Sequence, residues 1–177
     1  LRSRRFDAPH GDRTRPTSDK VREALFSVLG HHVAFDDAVV VDAFAGSGGL
    51  AFEALSRGAT RAFVLEEARG ALRTIAANAT ALELSHRITV IAGDIERTMT
   101  RIDAPVRVAF FDPPYALVPT DGFAKLLHAF CEHVSWEDGA LLVLEHRAGD
   151  HVPTLDGWDT VADRVWGDTG VRIARLA

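Results

Sequence analysis

The chain of 177 residues is 47% hydrophobic and 25% charged, the balance of an ordinary globular protein, and its length predicts a single domain over 1–177. Its one cysteine, Cys131, excludes an internal disulfide and a Cys-rich metal site, and no apolar stretch reaches the roughly 18 residues of a membrane span, so a reducing, cytoplasmic location is expected. The net charge of −5 argues against general nucleic-acid affinity, but residues 1–22 hold seven basic and three acidic residues, a local +4 on a body of −9.

Residues 1–16 form an Arg-rich arm with no periodicity, and a helix is expected over 17–30. There Val21, Leu25, Val28 and Leu29 share one face, Thr17, Ser18 and Asp19 are N-cap candidates, and Gly30 is a stop. The core then runs over 38–177. Strands are expected at Ala38–Val41, Arg61–Leu65, Arg87–Ala92, Val106–Phe111 and Ala140–Leu144. Helices are expected at Gly48–Arg57, Ala68–Leu82, Ile95–Arg101 and Gly122–His133. This alternation predicts an α/β fold with a mostly parallel sheet and helices on both faces. The tail reads as a hairpin, Trp158–Trp166 and Val171–Leu176, joined at Gly167-Asp168-Thr169-Gly170.

The first strand runs from Val39-Val40-Val41-Asp42 into Ala43-Phe44-Ala45-Gly46-Ser47-Gly48-Gly49-Leu50-Ala51. The spacing Gly46-x-Gly48-x-x-Ala51 lets backbone approach a ligand at a helix N-terminus. Glu66, at the end of the next strand, can accept from ribose hydroxyls. These features alone fit any adenosine-bearing cofactor, NAD included. Asp42 would repel a pyrophosphate but suits a sulfonium or ammonium cation. Asp94 closes the third strand and is either an N-cap or part of the site. Asp42, Glu66, Asp94 and Asp112 thus end four separate strands, where open α/β sheets bind ligands.

Phe111-Asp112-Pro113-Pro114-Tyr115 follows the fourth strand. Both prolines fix φ and lack an N–H, and Pro113 holds Asp112 extended. Asp112 and the Pro113 carbonyl can accept from an exocyclic amine, and Tyr115 can stack on its ring. An aryl amine is a weak nucleophile, so positioning and a nearby carboxylate supply the acceleration. Cys131 reads as core, Glu145-His146 as a strand end, and the eight histidines show no metal-ligand spacing. A plain Pro-Pro turn is the bland alternative for the loop.

Three elements together resemble the class I S-adenosylmethionine-dependent methyltransferases, and among them the bacterial 16S rRNA guanine-N2 methyltransferase family of the RsmD type. They are Arg15-Pro16-Thr17-Ser18-Asp19-Lys20-Val21-Arg22-Glu23, the glycine loop from Asp42, and the D-P-P-Y loop. The resemblance implies a Rossmann-like, seven-stranded sheet with an antiparallel last strand. It implies S-adenosylmethionine contacts at Asp42, Phe44, Ala45, Gly46, Ser47, Gly48, Glu66, Glu67, Asp94 and Ile95. It places the amine at Asp112, Pro113, Pro114 and Tyr115, and the substrate entrance at Arg13, Arg15, Pro16 and Thr17. The substrate it implies is a guanine of 16S rRNA in the small ribosomal subunit, met by a monomer. The sequence departs from the family where an acid often follows the ribose-binding glutamate by two positions: Ala68 stands there, with Glu67 beside Glu66. Other readings are the same chemistry on adenine N6 or a protein glutamine, an NAD-dependent oxidoreductase, and a non-catalytic adenosine-binding module.

Overall fold

The structure, a computed structural model, describes residues 19–177. The basic arm and the entrance residues Arg13, Arg15, Pro16 and Thr17 lie outside the described residues. Helix α1 spans Asp19–Leu29, followed by β1 (Val39–Asp42), α2 (Gly49–Ser56), β2 (Arg61–Glu66), α3 (Arg69–Ala81) and β3 (Ile88–Ala92). Next come α4 (Ile95–Thr98) with a 3-10 turn at Met99–Arg101, β4 (Val106–Phe111), α5 (Asp121–His133), β5 (Trp136–Arg147), β6 (Trp158–Trp166) and β7 (Thr169–Leu176).

The strands form one seven-stranded sheet in the order β3-β2-β1-β4-β5-β7-β6. Strands β1 to β5 are parallel, and β7 runs antiparallel between β5 and β6. This is the expected α/β architecture with its antiparallel last strand. Each parallel crossover uses a helix, because the strands are apolar on both faces and both must be covered. One core packs Leu25, Phe26 and Leu29 of α1 with Phe52, Leu55 and Ile75 against Val40, Val64 and Phe110. The opposite core packs Phe123, Leu127 and Phe130 of α5 with Met99 against Phe63, Phe111 and Leu142. Phe111 meets Phe130 edge-on at 4.9 Å between ring centroids.

Two elements differ from the sequence expectation. Strand β5 is 12 residues long rather than the expected Ala140–Leu144. Its start carries Glu137, Asp138 and Gly139, which hide the strand pattern, and the ladder to β4 shifts register between Val106 and Val108. Its end is extended by pairing with β7, Glu145↔Val171 through Arg147↔Thr169. Glu145 and His146 are therefore buried inside a strand rather than at its frayed end. The hairpin turn is also tighter than expected. Trp166 pairs with Thr169, so only Gly167-Asp168 turns the chain, with Gly167 at φ 63°. Gly170 belongs to β7 and sits against the His146 ring, so close that an added Cβ would overlap it.

The strand order reverses between β1 and β4, since β1 continues to β2 on one side while β4 leads to β5 on the other. A crevice opens at such a reversal beyond the carboxyl ends of the strands. The glycine loop leaves β1 there, and the D-P-P-Y loop leaves β4 beside it.

Candidate active site

The sheet brings the two loops together because β1 and β4 are neighbours: Asp42 is registered with Phe110, and the Ala43 N–H donates to the Phe110 carbonyl at 2.9 Å. Gly46 and Gly48 have φ of 53° and 81°, a conformation that β-carbon-bearing residues rarely adopt. Gly48 also lies against the Phe52 ring, where a Cβ would sit 2.7 Å from a ring carbon. Gly46 faces open space, as a residue lining a ligand cradle should.

The acids at this edge brace the loop. Glu66 accepts from the Gly46 N–H at 2.8 Å through Oε2, and from the Glu67 and Ala68 N–H groups at 2.9 and 2.8 Å through Oε1. Oε2 keeps a lone pair for a ribose hydroxyl. Glu67 and Ala68 are exposed and contribute backbone N–H groups to this cluster. Asp42 is buried, at 1% exposure, and accepts from the Ala51 N–H at 3.2 Å at the start of α2. Its other oxygen, Oδ1, has no partner among the described residues. Burial first, and the Glu66 charge to a lesser degree, raise the Asp42 carboxyl to about 7 despite the Ala51 N–H. Asp94 caps α4, accepting from the Glu96 N–H at 2.9 Å, and remains exposed beside buried Ile95. Phe44 is half-buried between Phe111 and Phe123, 6.2 and 6.3 Å away by ring centroids. Ala45 is buried behind the loop, its N–H donating to the Leu65 carbonyl at 3.3 Å.

A cradle with an open glycine face, carboxylates from adjacent strand ends and an orphaned buried carboxylate oxygen fits a cation carrying ribose hydroxyls. It does not fit a pyrophosphate, whose charge Asp42 and Glu66 would oppose. The residues present therefore suit S-adenosylmethionine.

On the β4 side, Pro113 is buried, Pro114 exposed, and Asp112 and Tyr115 half-buried. The Tyr115 hydroxyl donates to Glu145 Oε1 at 3.0 Å and lies 2.9 Å from the Thr169 hydroxyl. Its pKa is pushed up to about 12, by burial first and then, against the Thr169 hydrogen bond, by the Glu145 charge. Glu145 and Thr169 thereby anchor the tip of the ring from β5 and β7. A cavity of about 360 Å³ opens beside the ring, lined by Tyr115, Arg147, Ala148 and Asp168.

Several contributors escaped the sequence reading. Asn78, buried on α3, donates to the Ser47 carbonyl at 3.2 Å and ties down the glycine loop. A polar residue on the same inward face as Ile75 and Leu82 was the available signal. Arg22 of α1 bridges to Asp19 and Glu53 at 2.8 and 4.0 Å, with its guanidinium beside Gly49. The N-terminal motif therefore touches the glycine loop through Arg22. Glu145 and Thr169 had no local signal, since only the fold brings them to Tyr115. Cys131 is partly buried on α5, and its thiol is raised to about 12 by burial, in keeping with a packing role.

Comparison with known proteins decides the family. The profile described as "Conserved hypothetical protein 95" matches residues 1–175. The chain belongs to that family. It is 35% identical over 177 residues to the "Putative rRNA methyltransferase YlbH" of Bacillus subtilis, covering 97% of this chain and 93% of that relative. It is 30% identical to the "Ribosomal RNA small subunit methyltransferase D" of Escherichia coli strain K12, covering 97% of this chain and 84% of that protein. Among solved structures it resembles the "Putative methyltransferase yhhF from Escherichia coli", with a TM-score of 0.83, 29% identity, and 99% and 93% of the two chains covered. The resemblance read from the three motifs thus holds across the chain.

Proposed function

We propose that this rRNA methyltransferase transfers a methyl group from S-adenosylmethionine to the exocyclic N2 amine of a guanine in 16S rRNA. The observation that carries the reading is the D-P-P-Y loop at the sheet's reversal point, beside a glycine loop braced by carboxylates, in a chain aligned almost end to end with rRNA methyltransferases. The substrate is presented as part of the small ribosomal subunit, and the enzyme acts in the cytoplasm as a single-domain monomer. None of the described helices is long and apolar enough to cross a membrane.

When bound, S-adenosylmethionine supplies an electrophilic methyl group on a positively charged sulfur. Asp42, Glu66 and Asp94 place negative charge and acceptors around its cationic end and ribose, while Phe44, Ala45, Gly46, Ser47, Gly48, Glu67 and Ile95 shape the cradle. Asp112 and the Pro113 carbonyl accept from the amine N–H groups, which favours a pyramidal nitrogen with its lone pair aimed at the methyl carbon. The Asp112 carboxylate also opposes the positive charge that develops on that nitrogen. Pro113 and Pro114 keep the acceptors fixed, and Tyr115 offers its face to the base. The basic arm, with Arg13, Arg15, Pro16 and Thr17, meets RNA at the entrance.

The test supplies methyl-labelled S-adenosylmethionine with naked 16S rRNA and with small-subunit particles, and maps the product by nuclease digestion. N2-methylguanosine in the small-subunit particles is the expected result, and transfer to naked rRNA alone would remove the subunit part of the reading. Labelled N6-methyladenosine would move the reading to adenine, and no transfer to either substrate would remove it.

A further inference from the structure

The cavity beside Tyr115 has a wall that the D-P-P-Y motif does not provide. Arg147 ends β5 and Asp168 sits in the two-residue turn between β6 and β7, so both stand at the same sheet edge as Tyr115. Its volume, about 360 Å³, falls in the range of small-ligand clefts, roughly 300–1,000 Å³. Both side chains are exposed, and they line one cavity without forming an ion pair with each other or with any other of the described residues. Opposite charges held apart across a cavity present a donor and an acceptor to whatever enters. The backbone under them is fixed: the Ala148 N–H donates to the Asp168 carbonyl at 2.9 Å, and Thr169, next to Asp168, anchors Tyr115.

The Watson–Crick edge of guanine displays three groups in order: the N2 amine, the N1–H donor and the O6 acceptor. With N2 at Asp112, the next two groups require an acceptor and then a donor. Adenine presents a lone pair at N1 and an amine at position 6, the reverse polarity. From this match we infer that Asp168 and Arg147 are the specificity-determining residues of the site, Asp168 accepting from guanine N1–H and Arg147 donating to O6. This rests on the guanine-N2 reading above. In this arrangement Tyr115 holds the ring by its face, and the β5 end and the β6–β7 turn choose the base. Adenine would set its N1 lone pair against a carboxylate and its amine against a guanidinium, leaving both unpaired.

The experiment uses 2,6-diaminopurine, which keeps the reacting N2 amine but carries adenine's groups at N1 and position 6. Reconstituted small-subunit particles carry either guanine or diaminopurine at the methylated position, and single-turnover rates are compared. The wild-type protein should prefer guanine by roughly 100-fold, and Asp168→Asn or Arg147→Gln should each cut that preference about tenfold. Binding of S-adenosylhomocysteine checks that each variant keeps its cofactor side. Equal wild-type rates on the two bases overturn the inference without recourse to any variant. An unchanged preference in both variants also overturns it. If Arg147→Gln slows both bases equally and flattens the salt dependence, Arg147 is a phosphate contact and not a base reader. Absence of transfer to guanine particles would instead remove the guanine reading itself, an outcome distinct from lost discrimination.

Discussion

The β1–β3 half of the sheet edge holds its carboxylates with backbone N–H groups, none more than 20 residues away. Asp42 reaches Ala51, Glu66 reaches Gly46, and Asp94 reaches Glu96, at separations of 9, 20 and 2 residues. The β4–β7 half uses side chains that are distant in sequence. Tyr115 is anchored by Glu145 and Thr169, 30 and 54 residues away. The first half is held by backbone N–H groups on strand-end carboxylates, with Asn78 of α3 on the Ser47 carbonyl. The second exists only once β7 has docked between β5 and β6. Cofactor binding and amine positioning should therefore respond separately to substitution.

The strongest break is expected from Asp112→Ala. Methyl transfer should fall by about 10²- to 10³-fold, the scale of losing one fixed electrostatic partner of a transition state. Affinity for S-adenosylhomocysteine, measured by calorimetry, should stay unchanged. A parallel loss of affinity would show that the two halves are coupled.

Asp42→Asn probes the other half. Burial raises the Asp42 carboxyl to about 7 from an ordinary 3.8, so the unfolded chain loses this proton first. The wild-type contribution is therefore full below about pH 4 and is lost as pH rises through about 7, by up to about 4 kcal/mol. Denaturant titrations of the cofactor-free protein should show this fall, and Asp42→Asn should remove it. An identical pH profile in the variant would place the charge elsewhere.

Glu145→Gln and Thr169→Val should each lower the single-turnover rate about tenfold, the worth of one buried hydrogen bond to a charged or polar partner. Tyr115 is the chain's one tyrosine, so its ultraviolet titration reports this network alone. Removing the Glu145 charge should lower the phenol's pKa from about 12, and removing the Thr169 hydrogen bond should raise it. Shifts of the same sign would contradict the assigned network. The smallest effect is expected from deleting residues 1–14: RNA affinity should drop roughly threefold at low salt, and less as salt rises. Unchanged low-salt binding would leave the arm without a role.

The glycine loop, the four strand-end acids and the D-P-P-Y loop were legible because each is a short run at a strand terminus, where residue type and backbone geometry are tightly linked. The strand and helix order was legible for the same reason, from apolar periodicity. Glu145 was not. It reads as a charge at the end of an apolar strand, and only the β7 ladder turns that end into interior. Asp94 admitted two readings, and the structure shows it capping α4 while remaining exposed just beyond the end of β3. Arg147 carried no motif and Asp168 read only as part of a hairpin turn, because the cavity they line is shared with Tyr115 in the loop after β4.

Strand β7 follows β5 and β6 in sequence yet lies between them in space. During synthesis, β5 and β6 leave the ribosome before the strand that joins them. Until β7 emerges, β5 presents an open edge and Tyr115 lacks its Thr169 anchor. The glycine loop, built from residues made much earlier, can close first. A nascent chain can thus shape its glycine loop before the Thr169 anchor of Tyr115 exists, so the edge around Tyr115 is completed only when β7 is inserted.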